Sequence, residues 1–168
     1  MMKPLVVILM GSRSDAAHCA KIAAALDGFG IEHESRIGSA HKTPAHVSNL
    51  LAEYASTGRP LVYITVAGRS NALSGFVDGA VDAPVLACPP HSDTFAGADL
   101  YSSVRMPSGI APGLVLEPAN AALLAAKILG LTDAGIARRV RSFQESNAVT
   151  IVEDDNDLRE TRIKERLA

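Results

Sequence analysis

Short apolar runs that end in glycine or proline constrain the fold of this 168-residue chain more than any other feature. The first run, LVVILM, spans Leu5–Met10 and is followed at once by Gly11. A strand with one solvent-facing side alternates apolar and polar residues, whereas a strand buried on both faces is apolar throughout. The run therefore predicts a central strand in a sheet that is covered by helices on both faces.

Further segments alternate between strand and helix patterns along the chain. Apolar runs predict strands at residues 61–68, 85–90 and 113–118, and the more polar run at 31–37 predicts a strand nearer the edge of the sheet. Helical spacing of apolar residues predicts helices at residues 16–29, 44–57 and 120–129. This rhythm predicts a three-layer α/β fold, a doubly wound parallel sheet of the flavodoxin or Rossmann kind.

The length is that of one domain, predicted here over residues 1–168, with a core at about 4–131. The remainder, about residues 132–168, is predicted to be an additional C-terminal helical extension of one or two helices. Its end, EDDNDLRETRIKERLA, is strongly charged. Such a segment is either a solvated, frayed helix or a helix that packs on a neighbouring subunit.

Composition excludes several classes of partner. The formal net charge is -2, so there is no broad basic field for nucleic acid or an anionic membrane, and a small-molecule partner is expected. The apolar start, MMKPLVVILM, is too short to cross a membrane, and a cytoplasmic protein is predicted. Cys19 and Cys88 are predicted to be free thiols. The sequence has no paired-cysteine or HxxxH spacing, and no metal site is predicted.

Ligands of open parallel sheets bind where the strands end, so the residues after each run carry the functional prediction. The loop GSRSD follows the first strand and leads into a helix. The hydroxyls of Ser12 and Ser14 and the N–H groups of the helix start suit a phosphate. The carboxylate of Asp15 suits two ribose hydroxyls instead. The alternative is that Ser14 or Asp15 simply caps the helix.

The loop SAHKTP follows the second strand. Thr43 and Pro44 match the cap and first residue of a helix, which leaves Ser39, His41 and Lys42 for another role. A histidine side chain can take up or release a proton at neutral pH, and a lysine ammonium can hold a phosphate. The alternative is that the histidine is an ordinary surface side chain.

Two further loops follow the third and fourth strands. In AGRSNALSG, Gly68 permits close approach of the backbone to a ligand, and the next three residues supply donors but no general base, which predicts a binding loop. These donors are Arg69, Ser70 and Asn71. The loop CPPHSD offers His91 as the other candidate acid or base and a Pro-Pro step whose isomer the sequence leaves open. Residues 101–109 are predicted to form part of a neighbouring wall.

The motifs GSRSD, SAHKTP, AGRSNALSG and ACPP, in this order and spacing, resemble the 5-aminoimidazole ribonucleotide (AIR) carboxylase family of purine biosynthesis. The resemblance covers about residues 4–145. It implies a homo-octamer with active sites between subunits, and no metal, flavin or nucleotide cofactor. It also implies a substrate with an aminoimidazole base, a ribose and a 5′-phosphate.

The family has a branch that uses carbon dioxide directly and a mutase branch that moves a carboxylate from the exocyclic nitrogen to C4. The mutase branch typically carries SAHRTP and a glycine-rich third loop of the form AGGAAHLPG. This chain has Lys42 in place of the arginine and Ala72 where the second histidine would fall. The resemblance therefore implies the carbon-dioxide branch, similar to the carboxylase domain of the animal bifunctional enzyme. The mutase is the first alternative, and a flavodoxin-like module that binds a mononucleotide without catalysis is the second.

The resemblance implies that His41 is the catalytic acid and base for carboxylation of AIR by carbon dioxide. Lys42 and Ser14 would hold the phosphate, and Ser12 and Asp15 would hold the ribose. The residues that would line the base and the carbon dioxide or carboxylate pocket are Ser39, Gly68, Arg69, Ser70 and Asn71.

Overall fold

The computed structural model describes residues 2–91 and 96–167, with side chains described up to residue 162. Within these residues the strands are β1 Leu5–Met10, β2 Glu32–Ile37, β3 Leu61–Val66, β4 Val85–Ala87 and β5 Gly113–Leu114. The helices are α1 Ala16–Gly28, α2 Pro44–Ala55, α3 Ala72–Asp78, α4 Tyr101–Val104, α5 Pro118–Leu129 and α6 Ala134–Leu167. Single 3₁₀ turns at Arg13–Asp15 and Ala98–Leu100 precede α1 and α4.

The strands form one parallel sheet in the order β2-β1-β3-β4-β5. This confirms the predicted doubly wound sheet, with the more polar β2 at an edge. Met10 at the end of β1 is level with Ile37 of β2 and Val66 of β3. The loops that follow these strands therefore leave the sheet at the same height.

Strand β1 shows why a continuous apolar run was required. Alternate side chains of a strand point to opposite faces of the sheet. Val6 and Ile8 face a core with α1, α5 and the start of α6. Leu5 and Val7 face a second core with α2 and α3. All four are buried, so the sheet is the middle of three layers.

Several boundaries differ from the predictions. Strand β4 ends at Ala87, shortly before Pro89 and Pro90, which have no N–H to donate to the ladder, and β5 ends at Leu114. The sequence pattern does not predict helix α3, since its first residues lie in the segment that is predicted to be a binding loop. The C-terminal extension is one helix of 34 residues, of which Ile136 and Val140 are buried in the core.

The state of the two cysteines also follows the sequence analysis. Cys19 and Cys88 are free and buried, as predicted. In residues 2–91 and 96–167, no helix has both the length and the apolar character needed to cross a membrane. The same residues contain no cluster of three or more histidine, cysteine or acidic side chains suited to a metal ion.

Candidate active site

The loops after β1, β2 and β3 meet in one cleft of about 360 Å³, called here the polar cleft. They meet because β1 lies between β2 and β3, which is the point where a doubly wound sheet changes direction. The structure brings almost every predicted site residue to this cleft: Ser12, Ser14, Asp15, Ser39, His41, Lys42, Gly68, Arg69 and Ser70. Asn71 is the exception.

The first loop presents hydroxyl and carboxylate groups at the start of α1. Gly11 donates its N–H to the carbonyl of Val66 at 2.8 Å, which holds the loop against the end of β3. The hydroxyls of Ser12 and Ser14 share a hydrogen bond with each other. Asp15 occupies the cap position of α1, but its carboxylate makes no capping bond within the described chain. Its side chain is therefore available to a ligand in the polar cleft.

The second loop is pinned at its base and open at its tip. Thr43 Oγ1 accepts the N–H of Ser39 at 3.0 Å, and Ser39 Oγ accepts the N–H of Lys42 at 3.2 Å. Thr43 is the cap residue of α2 and Pro44 its first residue, as predicted. These contacts shape the turn, so the exposed side chains of His41 and Lys42 are presented from a fixed backbone.

The third loop forms the opposite wall of the polar cleft. Ala67 is buried at its start, whereas Arg69 and Ser70 are exposed. The backbone of Arg69 has a φ of 26°, which is uncommon for a residue with a side chain and costs about 1 kcal/mol or more. Such a conformation persists only where the surrounding structure holds it.

Asn71, predicted to line the substrate pocket, is the one predicted site residue that the structure does not bring to the polar cleft. Its side chain is 1% exposed and does not line the polar cleft. The Nδ2 group donates to Ser103 Oγ at 2.9 Å, and Oδ1 accepts the N–H of Ser74 at 3.3 Å as the cap of α3. The amide is satisfied inside the protein because a buried polar side chain without partners would be costly.

Four residues of the cleft were not singled out from the sequence: Gly11, Ala40, Ala67 and Leu73. They are small or apolar, and small apolar residues are common throughout this chain, so no chemical signal distinguished them. Leu73 reaches the cleft because α3 starts one residue earlier. Together they add small and apolar surface to the lining of the polar cleft.

The ionisable side chains of the polar cleft are Asp15, His41, Lys42 and Arg69. Lysine and arginine are cationic at neutral pH and outnumber the one carboxylate, so the cleft favours an anionic ligand. His41 is the single histidine of the polar cleft, and imidazole is the side-chain type that serves as acid and base in proteins. The cleft therefore combines an anion site, a polyol-binding carboxylate and one proton carrier.

A second cavity of about 290 Å³ lies beside the polar cleft and shares Ala67 and Gly68 with it. Its wall is mainly apolar and includes Pro89, Pro90 and His91 from the fourth loop. The peptide bonds of the described fourth-loop residues are trans. Residues 92 and 93 of this loop lie outside the described residues. His91 thus lines a different cavity from His41.

Behind the first loop, His18 and Cys88 form a further contact. His18 Nε2 lies 3.4 Å from Cys88 Sγ. Burial lowers the pKa of His18 and raises the pKa of Cys88 to about 12, so both groups are neutral at physiological pH. A thiol held in this state is a poor nucleophile, and it contributes packing rather than reactivity.

A doubly wound sheet with polar loops at its switch point defines a class of small-molecule-binding α/β proteins. Comparison with known families is more specific. A model of the AIR carboxylase family matches residues 5–150, and the chain belongs to this family.

Curated relatives agree with this assignment. The chain is 64% identical over 158 residues to phosphoribosylaminoimidazole carboxylase of Treponema denticola, covering 94% of this chain and 99% of the relative. It is 54% identical over 153 residues to the protein of the same name from Archaeoglobus fulgidus, covering 91% and 84%. It is 39% identical to the bifunctional phosphoribosylaminoimidazole carboxylase/phosphoribosylaminoimidazole succinocarboxamide synthetase of Rattus norvegicus, of which it spans 37%.

Solved structures support the fold. The crystal structure of Treponema denticola PurE superposes with a TM-score of 0.91 at 64% identity, covering 93% of this chain and 99% of that chain. A second crystal structure, of a single-residue variant of Treponema denticola PurE2, gives a TM-score of 0.92 at the same identity and covers 94% of this chain and 99% of that chain.

Proposed function

We propose that this protein is a phosphoribosylaminoimidazole carboxylase, which reversibly carboxylates AIR at C4 with carbon dioxide to give 4-carboxy-AIR in purine biosynthesis. The observation that carries the proposal is the meeting of His41, Lys42 and Asp15 in one cleft of a chain that belongs to the AIR carboxylase family. The relatives named phosphoribosylaminoimidazole carboxylase support the same activity.

The chemistry needs little beyond orientation and one proton carrier. The aminoimidazole ring is electron-rich, and its C4 attacks carbon dioxide as the carbon of an enamine would. The new C–C bond takes its electron pair from the ring, and the carboxylate takes the negative charge. C4 then carries both the carboxylate and a hydrogen. His41 removes that hydrogen as a proton, the C–H electrons return to the ring, and aromaticity is restored.

The remaining residues bind and orient the two substrates. Lys42 and Ser14 hold the phosphate, and Ser12 and Asp15 contact the ribose. The third loop and Ser39 line the space for the base and for carbon dioxide. Holding AIR and carbon dioxide close together in the reactive orientation supplies a large part of the rate enhancement of the carboxylation. In favourable cases this effect is about 10⁵-fold or more.

The donors to the new carboxylate come from the residues that line the polar cleft and do not include the Asn71 side chain. The Asn71 amide is bonded to Ser103 and Ser74, so it is not free to face the substrate. Ser70 and the backbone around Gly68 line the polar cleft and take that role. Hydrogen bonds directed at charge that develops during the reaction stabilise the transition state more than the ground state.

The carbon-dioxide branch is supported by two positions. Lys42 lines the polar cleft where the mutase branch has arginine. Ala72 stands where the mutase loop has its second histidine, and it begins α3 with no group that can carry a proton. The 39% identity with the bifunctional carboxylase of Rattus norvegicus supports the same branch.

A two-substrate assay tests both the activity and the branch. The purified protein is supplied either with AIR and bicarbonate buffer or with the N-carboxylated compound, and formation of 4-carboxy-AIR is followed by ultraviolet absorbance. Rapid product formation from AIR, dependent on dissolved carbon dioxide, is expected. Product formation from the N-carboxylated compound alone, faster than its spontaneous decay to AIR, would assign the mutase instead.

We further propose a cytoplasmic homo-octamer in which the whole chain, residues 1–168, is one domain. Helix α6 supports assembly because its described side chains from residue 141 onwards are exposed, and these include apolar ones. Light scattering coupled to size-exclusion chromatography is expected to give about eight times the 17.6 kDa chain mass. A mass of one or two chains would contradict the octamer.

A further inference from the structure

Asn71 is buried directly after the strained backbone of Arg69 in the third loop. Arg69 has a left-handed backbone, and Ser70 beside it is exposed in the polar cleft. No strand or helix contains either residue, since β3 ends at Val66 and α3 begins at Ala72. The loop needs an anchor from elsewhere in the fold.

The buried anchor lies immediately after the strained residues. The backbone N–H of Asn71 donates to Ser102 Oγ at 2.9 Å, and its side-chain amide donates to Ser103 Oγ at 2.9 Å. Both serines belong to α4, more than 30 residues further along the chain. Asn71 is 1% exposed and Ser103 is 3% exposed, so water does not compete for their contact.

The same contacts continue away from the loop. Ser102 Oγ donates to the carbonyl of Asp99 at 2.7 Å, in the 3₁₀ turn before α4. On the other side, Asn71 caps α3 through Ser74. The end of the third loop is therefore fixed between two short helices by five hydrogen bonds that all involve Asn71 or its partner Ser102.

We infer that Asn71 is a positioning residue for the carboxylation reaction, acting through Ser102 and Ser103 to hold the backbone of Gly68, Arg69 and Ser70 against the reacting base. This inference rests on the proposed function. The phosphate and ribose contacts come from the first two loops, whereas the third loop faces the base. The hydrogen bonds from Asn71 to Ser102 and Ser103 are called here the tether. Loosening the tether should therefore impair the chemical step and leave substrate binding largely intact.

The test is Ser103→Ala, which removes the partner of the Asn71 amide but leaves the cap of α3 in place. Displacement of the third loop from the reacting base is expected to lower kcat by about ten- to a hundredfold. The KM for AIR should stay within about threefold of the wild-type value. The matched control is Ser56→Ala, which also removes a side-chain hydrogen bond, to the carbonyl of Glu53 at 2.7 Å, at the far end of α2. The control should keep the wild-type kcat.

Two further measurements separate positioning from general destabilisation. The reductions in kcat caused by Asn71→Ala and Ser103→Ala should be less than additive in the double variant, since both break one contact. Amide hydrogen exchange at Arg69 and Ser70 should be faster in Ser103→Ala than in wild type or Ser56→Ala. Additive losses, an unchanged kcat in Ser103→Ala, or unchanged exchange would each overturn the inference.

The same experiment distinguishes failure of the inference from failure of the proposed function. A wild-type protein that does not carboxylate AIR would contradict the proposed function and with it the catalytic role of the tether. An active wild type with an equally active Ser103→Ala variant would contradict the tether alone.

Discussion

At the scale of single residues, His41 and Lys42 are neighbours in one exposed loop tip but carry different parts of the proposed reaction. A lysine ammonium keeps its charge at neutral pH and can only bind, whereas an imidazole can also exchange a proton. Substitutions at the two positions should therefore affect different kinetic constants.

His41→Asn is expected to abolish turnover, with a loss in kcat of about two to four orders of magnitude, while AIR still binds. Asparagine keeps a similar size and can donate a hydrogen bond, but it cannot take the proton from C4. Steady-state kinetics and a direct binding measurement such as calorimetry check this. Near-normal turnover in the variant would remove His41 from its assigned role.

Lys42→Ala is expected to raise the KM for AIR about tenfold or more, because a charge-assisted contact with the phosphate is lost. The kcat should fall less than the KM rises. Comparison with the dephosphorylated nucleoside supplies the control, since that ligand should not distinguish wild type from variant. An unchanged KM for AIR would show that the lysine does not contact the phosphate.

Tyr54 and Tyr63 are both buried but differ in hydrogen bonding. The Tyr54 hydroxyl donates to Glu34 at 2.6 Å and accepts from Arg36 at 2.9 Å. The Tyr63 hydroxyl is buried without a partner among the described residues. Tyr54→Phe is therefore expected to lower the free energy of unfolding by about 1–3 kcal/mol, and Tyr63→Phe by much less, in urea denaturation.

The same two tyrosines make the stability of the folded protein decrease at alkaline pH. Burial raises the pKa of each from 10.0 to about 12, and the bond to Glu34 adds to the rise for Tyr54. Their neutral form is favoured by folding, so stability is fully present below pH 10 and is lost as the pH rises towards about 12. The loss should be smaller in Tyr63→Phe, and an identical alkaline profile would contradict this account.

At the scale of elements, the approach of the second loop to α2 depends on Gly38. A Cβ atom placed there would lie 2.8 Å from Cγ2 of Val47, a fully buried residue of α2 with a stiff side chain. The loop and the first turns of the helix would have to separate. Since His41 and Lys42 follow directly, the site would move with them.

Gly38→Ala is accordingly expected to lower the free energy of unfolding by about 1–3 kcal/mol and to lower kcat/KM as well. Gly28→Ala is the matched control, because a Cβ at that helical position meets nothing within 4 Å, and it should be neutral or slightly stabilising. Urea denaturation and steady-state kinetics check both. Equal stability of the two variants would contradict the close approach.

At the scale of the whole molecule, the C-terminal part of α6 leaves apolar side chains exposed to solvent in the single chain. Phe143 still contacts Phe29, with ring centroids 5.3 Å apart. Beyond it, Val149 and Val152 are 55% and 60% exposed and lie three residues apart on one side of the helix. Exposed apolar side chains at this spacing are typical of a helix face that packs against another subunit.

The double variant Val149→Gln and Val152→Gln is therefore expected to reduce the oligomer mass in light scattering, with little change in circular dichroism, because both side chains lie outside the core. Asn147→Gln, on the same exposed stretch, is the control and should assemble as wild type does. Full assembly of the double variant would mean that this part of α6 is not an interface.

Much of the fold could be predicted because its pattern is local. The apolar run of β1 and the periodic apolar residues of α1 are each visible within a short window of sequence. Helix α3 could not be predicted as readily, since it has seven residues and starts inside a polar loop motif. The exact ends of β4 and β5 depend on pairing with neighbouring strands, which a local pattern does not contain.

The sequence by itself determined which loops carry chemistry, because serine, aspartate, histidine, lysine and arginine follow apolar strands at fixed places in the chain. Tertiary structure decided which of these groups meet. The order β2-β1-β3 and the level ends of those strands place His41 opposite the third loop and leave His91 beside another cavity. Tertiary structure also directs the Asn71 side chain inwards to α4. A contact between residues more than 30 positions apart is made only when the sheet has assembled.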